Sequence, residues 1–446
     1  MRFLVLSGSG DGLGLALRLK WEGNEVAVWI RERSTKKNYD GLIKKFDHGQ
    51  WDTFLTDDTV VIFDSTGGGR TADRLRAQGY PVFAGSTFAD QLEQDRATAA
   101  GIMKEMGIKT PRSESFSSFD DAKQYVKERN VRLAFKASGK TAEQLHSYLS
   151  YDPEDMIQML DLYKEEHEGK PEFELQDFVK GVEISSEGWF NGFNFMRPFN
   201  HTIERKQLMN DGLGPSGGCA GNVVWTCEEA TPIIEKGIEL MAPVLRDNHY
   251  IGPIDLNSIV NDDGVWGLEF TPRFGYDALP ALLELFDKPI GETISSMAKG
   301  EEPKRLPLKN LWATALRLTI PPYPTEHFRP EEGVPIRGFS REDRLHTYFS
   351  DVLLNDKGRL VSSPGYGVIV TLTGSGPSIV EALDGPYKLA EQARVANKQY
   401  RTDLKSLFVD EYNKLGKYLE RGDEKDAGLS PAIESRVPST PVDAVD

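Results

Sequence analysis

The chain is short of cysteine, of long apolar runs and of positive charge, and each shortage excludes something. Two cysteines in 446 residues, Cys219 and Cys227, cannot build a disulfide framework. With no neighbouring histidine they do not make a zinc site either, so two free thiols in a reducing compartment are expected. No stretch approaches the ~20 apolar residues of a membrane-spanning helix. The opening apolar run, in MRFLVLSGSGDG, stops at Leu6, too short for the core of a secretory leader. A cytoplasmic protein with no membrane partner is therefore expected. Lys and Arg total 53 against 69 Asp and Glu, a formal net charge of −16. That argues against a nucleic-acid duplex as partner, which needs clustered cations. It does not exclude a single nucleotide, for which a few local cations suffice.

What is present is apolar material for more than one core: 39% of the residues are hydrophobic. At this length roughly two to four domains are expected. Residues 3–6 read as a strand, followed by a glycine-dense turn at Gly8, Gly10, Gly12 and Gly14 and an apolar helical stripe. Strands follow at 25–30 and at 59–64, the latter ending in Ser65-Thr66-Gly67-Gly68-Gly69, then a helix near 70–78 and a strand at 81–84. Strands alternating with helices predict a parallel sheet, whose ligands sit at the carboxyl ends of the strands. From about 90 to 300 helices mix with antiparallel-looking strands. The pattern predicts strands at 133–137, 173–178 and 182–190, and an amphipathic helix over 231–248. A hairpin, 254–260 with 265–270, is expected across Asn261-Asp262-Asp263-Gly264. Strands near 312–320, 345–354 and 367–373 and a helix at 377–395 begin a further pattern. From 423 the composition is that of a disordered tail.

Several constellations could carry chemistry. The first glycine turn could hold a phosphate or small anion on its backbone N–H groups, or be a tight turn and nothing more. An NAD site would want an acidic residue at the end of the second strand; that strand ends Trp29-Ile30-Arg31, which counts against an oxidoreductase. Lys136 lies in an apolar strand, where an ammonium is costly unless it meets an anion. Asp255 and Glu269 fall on the two arms of the hairpin. Two carboxylates on facing strands suit Mg²⁺, a hard cation that bridges phosphates, and Arg273 beyond them could clamp a carboxylate or phosphate. Each residue alone could be a surface charge; their order along the chain favours a site.

From Met1 to about residue 410 the sequence resembles glycinamide ribonucleotide synthetase (phosphoribosylamine–glycine ligase), a family of the ATP-grasp superfamily. MRFLVLSGSGDGLGLALRL is similar to the family's MKVLVIGSGGREHALAWKL, FELQDFVKGVEIS to VIEEFLDGEEAS, GLGPSGGCAG to TGPNTGGMGA, and GVWGLEFTPRFG to P-x-VIEFNCRFGDPE. Later, PPYP, SSPGYGVIVTLTGSG and QYRTDL resemble GGYP, T-x-GGRVL-x-V-x-ALG and Y-R-x-DIG.

The resemblance implies a multidomain α/β and α+β chain. An N-terminal parallel-sheet domain (1–100) would precede an ATP-grasp core of two antiparallel lobes (101–305, lid lobe about 120–190) and a small C-terminal β-rich domain (306–422), with a tail at 423–446. It implies an ATP- and Mg²⁺-dependent carboxylate–amine ligase acting through an acyl phosphate, with Mn²⁺ as a substitute metal. Its partners would be small molecules (amino acid, amine or phosphoribosyl compound), and the chain a monomer or small homo-oligomer. Lys136 and Arg96 would contact the ATP phosphates, Gln176, Asp177, Phe178 and Val179 would be the hinge reading adenine, and Glu183 would hold the ribose. Glu269, Asp255 and Thr271 would bind metal, with Thr271 standing where the family has asparagine. Arg273 would neutralise the acyl phosphate. Gly8, Ser9, Gly10, Ser65, Thr66, Gly67, Gly217 and Gly218 would line the substrate side.

The departures fall more on that side than on the nucleotide side. The family's Arg-Glu-His is Asp11-Gly12-Leu13 here, its Gly-Pro-Glu is Asp64-Ser65-Thr66, its Asp-His-Lys-Arg is Glu204-Arg205-Lys206-Gln207, its RFGDPE is Arg273-Phe274-Gly275-Tyr276-Asp277-Ala278, and its glycine-rich lid is thinned to Lys136-Ala137-Ser138-Gly139-Lys140-Thr141. They leave open a ligase for another amine, such as a modified nucleotide, and a non-catalytic nucleotide-binding descendant.

Overall fold

The computed structural model describes residues 1–419 apart from His48, Gly139, Lys140, Ala142, Glu143, Glu302 and 326–330. The expected tail at 423–446 and the lid residues Gly139 and Lys140 lie outside the described residues.

Three sheets organise the chain. The first contains β1 (Arg2–Ser7), β2 (Glu25–Ile30), β3 (Lys44–Lys45), β4 (Thr59–Phe63) and β5 (Val82–Phe83), ordered β3-β2-β1-β4-β5 and parallel throughout. Phe3 to Leu6 and Val60 to Phe63 are buried on both faces, as a covered parallel sheet requires. The second contains β6 (Ser113–Phe116), β7 (Leu133–Ala137), β8 (Tyr148–Leu149) and β9 (Phe173–Asp177), antiparallel, ordered β6-β9-β7-β8. Helices Phe119–Arg129 and Pro153–Glu166 cover it, around a separate core of Phe119, Val126, Phe135, Leu160 and Phe173.

The third and largest sheet contains β10 (Val182–Asn191), β11 (Phe199–Gln207), β12 (Ser216–Cys227), β13 (Ile251–Asn261), β14 (Gly264–Thr271), β15 (Trp312–Thr319) and β16 (Thr347–Phe349). A small hairpin, β17 (Val352–Leu354) with β18 (Leu360–Ser362), precedes its last strand, β19 (Val368–Gly376). The order is β14-β13-β10-β11-β12-β15-β19-β16. The C-terminal strands thus continue the same hydrogen-bonded sheet, β15 pairing with β12 from Trp225↔Trp312 to Gly221↔Leu316.

Two expected elements differ. The stretch 231–248 is not one helix but three short pieces, Pro232–Glu235, Ile238–Met241 and Ala242–Asp247. Gly237 leaves helical geometry (φ −128°, ψ −109°), and Pro243 in the first turn of the third piece cannot donate to a preceding turn. The strand expected at 345–354 is split into β16 and β17 around Asp351. That carboxylate collects the amides of Tyr366 (2.6 Å), Gly367 (2.8 Å) and Val368 (3.1 Å).

Candidate active site

Residues directly opposite in antiparallel strands present their side chains on the same face, so the register of the large sheet writes out the site. Glu187, Asp255 and Thr271 form one row across β10, β13 and β14. Thr202, Ser185, Asn257 and Glu269 form the next. Glu204 stands opposite Asn222, and Arg317 opposite Thr371, which is opposite Tyr348. This polar face lines a cavity of about 580 Å³. The helix Ala278–Leu285, Arg273 and the first glycine turn of the N-terminal sheet complete the lining.

Of the residues expected at the site, the cavity brings together Ser9, Gly10, Gly217, Gly218, Asp255, Glu269, Thr271 and Arg273. Lys136 projects from β7 into the field of Glu269, Arg96, Glu174 and Glu183. Burial lowers its pKa, Arg96 lowers it further, and Glu269 opposes both. Arg96 lies 3.8 Å from Glu269. Glu183 is ion-paired with Lys206 at 2.6 Å. Arg273 is held by Glu93 (2.9 and 3.1 Å) and its guanidinium stacks 4.0 Å over Tyr276.

The remaining expected residues lie elsewhere. Asp177, Phe178 and Val179 line a second, more open groove of about 1040 Å³ with Lys104, Arg112 and Trp266. The amides of Asp177 and Phe178, expected to form the hinge, are committed to the carbonyls of Arg112 (2.8 Å) and Arg132 (3.0 Å). Gln176 lies opposite Ala134 in β9. Gly8, Ser65, Thr66 and Gly67 sit beside the cavity and are not part of its lining.

The glycine turns have a local explanation. Asp64, at the end of β4, accepts from the amides of Gly8 (3.1 Å) and Gly12 (2.7 Å) and from Ser7 Oγ. A Cβ at position 12 would lie 2.6 Å from Asp64 Oδ2, and one at position 8 would lie 2.4 Å from Ser65 Oγ. Gly8 and Gly12 therefore make room for close approach by β4. In the second turn Asp90 accepts from the amides of Gly67 (2.6 Å) and Gly69 (2.8 Å).

The oxygen donors suit a hard cation. Asp255 is buried, with Asn257 Nδ2 at 3.4 Å and Glu187 opposite. Burial, and then Glu187, push its carboxyl well above the usual carboxylate range, while Arg273 pulls it down. A cation would relieve that carboxylate. Thr271 Oγ1 also lies 3.4 Å from Asn257 Nδ2. Among the described residues no group of three or more His, Cys, Asp and Glu side chains could hold a metal. What the sheet does offer is Asp255 and Glu269 at diagonal positions of β13 and β14, with the neutral oxygens of Thr271 and Asn257 opposite them. Mg²⁺, which keeps waters and phosphate oxygens in its shell, accepts such a set.

Sequence reasoning missed Arg317 and read Asp277 only as a departure from the family's RFGDPE. They form a buried ion pair, with side chains 12% and 4% exposed. Arg317 also donates to Gly217 O (3.0 Å) and Tyr323 Oη (2.8 Å), and Thr371 Oγ1 donates to Asp277 (2.8 Å). Glu204 was read only as a departure. Burial pushes its carboxyl up to about 7, against the pull of Lys206.

Both cysteines are free thiols, and no described helix is long and apolar enough to cross a membrane. No protein-family model matches the chain. Curated relatives do. A phosphoribosylamine–glycine ligase of Streptococcus pneumoniae is 22% identical over 427 residues, 92% of this chain and all of that one. The Listeria innocua enzyme of the same name is 24% identical over 342 residues, 74% of this chain and 80% of that one. Among solved structures, the phosphoribosylamine–glycine ligase of Thermotoga maritima superposes with a TM-score of 0.70 at 23% identity, covering 90% of this chain and 99% of that one. The biotin carboxylase domain of Hydrogenobacter thermophilus 2-oxoglutarate carboxylase, solved with MgADP, gives 0.60 at 14% identity over 89% of this chain and 91% of that one. This chain is a divergent homologue of the phosphoribosylamine–glycine ligases, built on the ATP-grasp fold.

Proposed function

We propose that the chain is an ATP- and Mg²⁺-dependent ligase that activates a carboxylate as its acyl phosphate and transfers the acyl group to an amine. The observation that carries this reading is the register of the large sheet. It gathers Asp255, Glu269, Thr271 and Asn257 on one face beside Arg273 and Lys206, with Arg96 3.8 Å from Glu269 and Lys136 within the electrostatic reach of both. A carboxylate oxygen attacks the γ-phosphorus and ADP leaves; the amine nitrogen then attacks the acyl carbon, forming C–N as phosphate departs and the nitrogen loses its proton. Such chemistry needs positioning and charge neutralisation rather than a nucleophilic side chain. Bound Mg²⁺ supplies neutralisation of the phosphate oxygens.

In this reading Lys136 and Arg96 neutralise phosphates, Gln176 to Val179 flank adenine, and Glu183 faces the ribose. Asp255, Glu269 and Thr271 hold the metal, which Mn²⁺ replaces. Arg273 orients the carboxylate. Gly217 and Gly218, with the turns at Gly8–Gly10 and Ser65–Gly67, bound the amine side. The units are 1–100, 101–305 and 306–422, in a cytoplasmic monomer or small homo-oligomer. The relatives' names make glycine and phosphoribosylamine the first pair to assay.

ADP release from ATP and Mg²⁺ with that pair, and with a wider panel of amino acids and amines, tests the reading. Amine-dependent ADP is expected with at least one combination, and loss of at least about 100-fold in kcat with Lys136→Ala or Glu269→Gln. Tight ATP binding with no amine-dependent ADP anywhere in the panel would sink it.

A further inference from the structure

The amine would enter at the end of the cavity nearest the N-terminal sheet, where the two glycine turns stand with their amides already occupied, Gly10 in the lining and Gly8, Gly12, Gly67 and Gly69 beside it. Five glycine amides of the two turns have acceptors within the protein. Those of Gly8 and Gly12 point to Asp64, that of Gly10 to Ser7 Oγ (2.8 Å), and those of Gly67 and Gly69 to Asp90. A phosphate held on such amides gains from several unpaired donors at once. Here it would have to displace two carboxylates and then lie beside them. Arg31, at the same rim, donates its terminal nitrogens to the carbonyls of Gly67 (2.7 Å) and Thr66 (3.3 Å).

The same end of the cavity carries an unneutralised carboxylate. Asp11 lines the cavity and hydrogen-bonds Ser9 Oγ, and among the described residues it makes no ion pair. It is open to the cavity yet ringed by protein, and that desolvation pushes its carboxyl up to about 6. Arg273 and Arg317 line the same cavity and their charges reach Asp11, so a ligand ammonium at Asp11 lies within the same enclosure as Arg273, assigned above to the carboxylate.

We infer that the acceptor of this ligase is a primary amine without a phosphate ester, recognised as its ammonium ion by Asp11, which takes one proton from it so that the free amine attacks the acyl carbon, with the carboxylates of Asp64 and Asp90 occupying the glycine amides that would otherwise hold a phosphate. The inference rests on the ligase reading above and narrows its substrate.

Matched amine pairs differing only in a phosphate test it: ribosylamine against phosphoribosylamine, glucosamine against glucosamine 6-phosphate, and ethanolamine against O-phosphoethanolamine. Each is incubated with the full chain, ATP, Mg²⁺ and mixed amino acids, and ADP is measured above the no-amine background. The unphosphorylated member of at least one pair should have the higher kcat/KM, by at least tenfold. Asp11→Asn should raise KM for that amine at least tenfold while leaving KM for ATP within twofold. Preference for the phosphorylated member, no preference, or an unchanged amine KM in Asp11→Asn overturns the inference and leaves the ligase reading intact. No ADP in any arm sinks the ligase reading instead. Thermal-shift titration of the same pairs without turnover then decides the inference. Stabilisation by an unphosphorylated amine that Asp11→Asn abolishes supports it; stabilisation by phosphorylated members alone, or by none, overturns it.

Discussion

Lys136 and Arg317 carry the same signal, one cation in a strand of apolar residues. In LAFKA it marked a site, whereas in WATALRLT it passed unremarked. Arg317 could not be placed from sequence because its partners, Asp277, Gly217 and Tyr323, come from three other segments. Its pairing predicts a measurable asymmetry. Breaking a buried pair by removing one partner leaves an uncompensated charge and costs about 3–5 kcal/mol, while replacing both by apolar groups is far milder. Arg317→Leu should therefore lower the urea-unfolding free energy by about that amount, and Arg317→Leu with Asp277→Leu should recover at least half. Equal losses in the single and double variants would mean that the pair is not the stabilising unit. His201 makes a second prediction. It is fully buried between Ser186 Oγ (2.9 Å) and Thr231 Oγ1 (3.0 Å), and burial lowers its pKa to about 3. The unfolded chain, with a pKa of about 6.5, binds the proton first on acidification. The stability His201 contributes is therefore present above about pH 6.5 and lost progressively toward pH 3. An NMR titration should show no protonation of this imidazole between pH 8 and 5. A midpoint near 6.5 in the folded protein would refute the assignment.

At the scale of elements, strand–turn–helix was legible at once, because the apolar run, the glycines and the helical stripe fall in order. The purpose of the glycines was not legible, since the spacing of a phosphate cradle and that of a close-packed turn look alike in one dimension. The deciding residue, Asp64, lies 52 positions beyond Gly12. Two alanine substitutions separate these roles. At Gly12 a Cβ would lie 2.6 Å from Asp64, and such overpacking costs about 1–3 kcal/mol. At Gly101, inside the helix Arg96–Glu105, a Cβ meets nothing within 4 Å, and glycine in a helix interior is worse than alanine by about 0.8–1 kcal/mol. Gly12→Ala should lower the melting temperature and Gly101→Ala should raise it. A neutral Gly12→Ala would mean that Asp64 does not occupy the turn. The amphipathic pattern over 231–248 was legible too, but not its division, because Gly237 departs from helical geometry by an amount that composition does not encode.

Across the whole molecule, the site draws on residues from all three sheets, and they are not equally bound to one another. The large sheet runs without interruption from β14 to β16, and its core cluster extends into the N-terminal sheet through Phe3, Val5 and Val28. The four-stranded sheet keeps a separate core. Among the described residues, its strands and helices make their extensive contacts only with each other. What it presents to the rest of the site is charge, chiefly Lys136 toward Glu269. Units with separate cores open independently, and a ligand bridging two of them stabilises the closed arrangement by its differential affinity. Hydrogen exchange with a non-hydrolysable ATP analogue and Mg²⁺ should therefore show added protection in β7, β9 and the crossing at 177–183. Protection in β1 and β4, already within the large core, should change little. In Lys136→Ala the added protection in the four-stranded sheet should largely disappear while its exchange without nucleotide stays near wild type. Uniform protection across all three sheets would mean that they move as one body, and no added protection in β7 and β9 would mean that the nucleotide does not bridge the charges of Lys136 and Glu269.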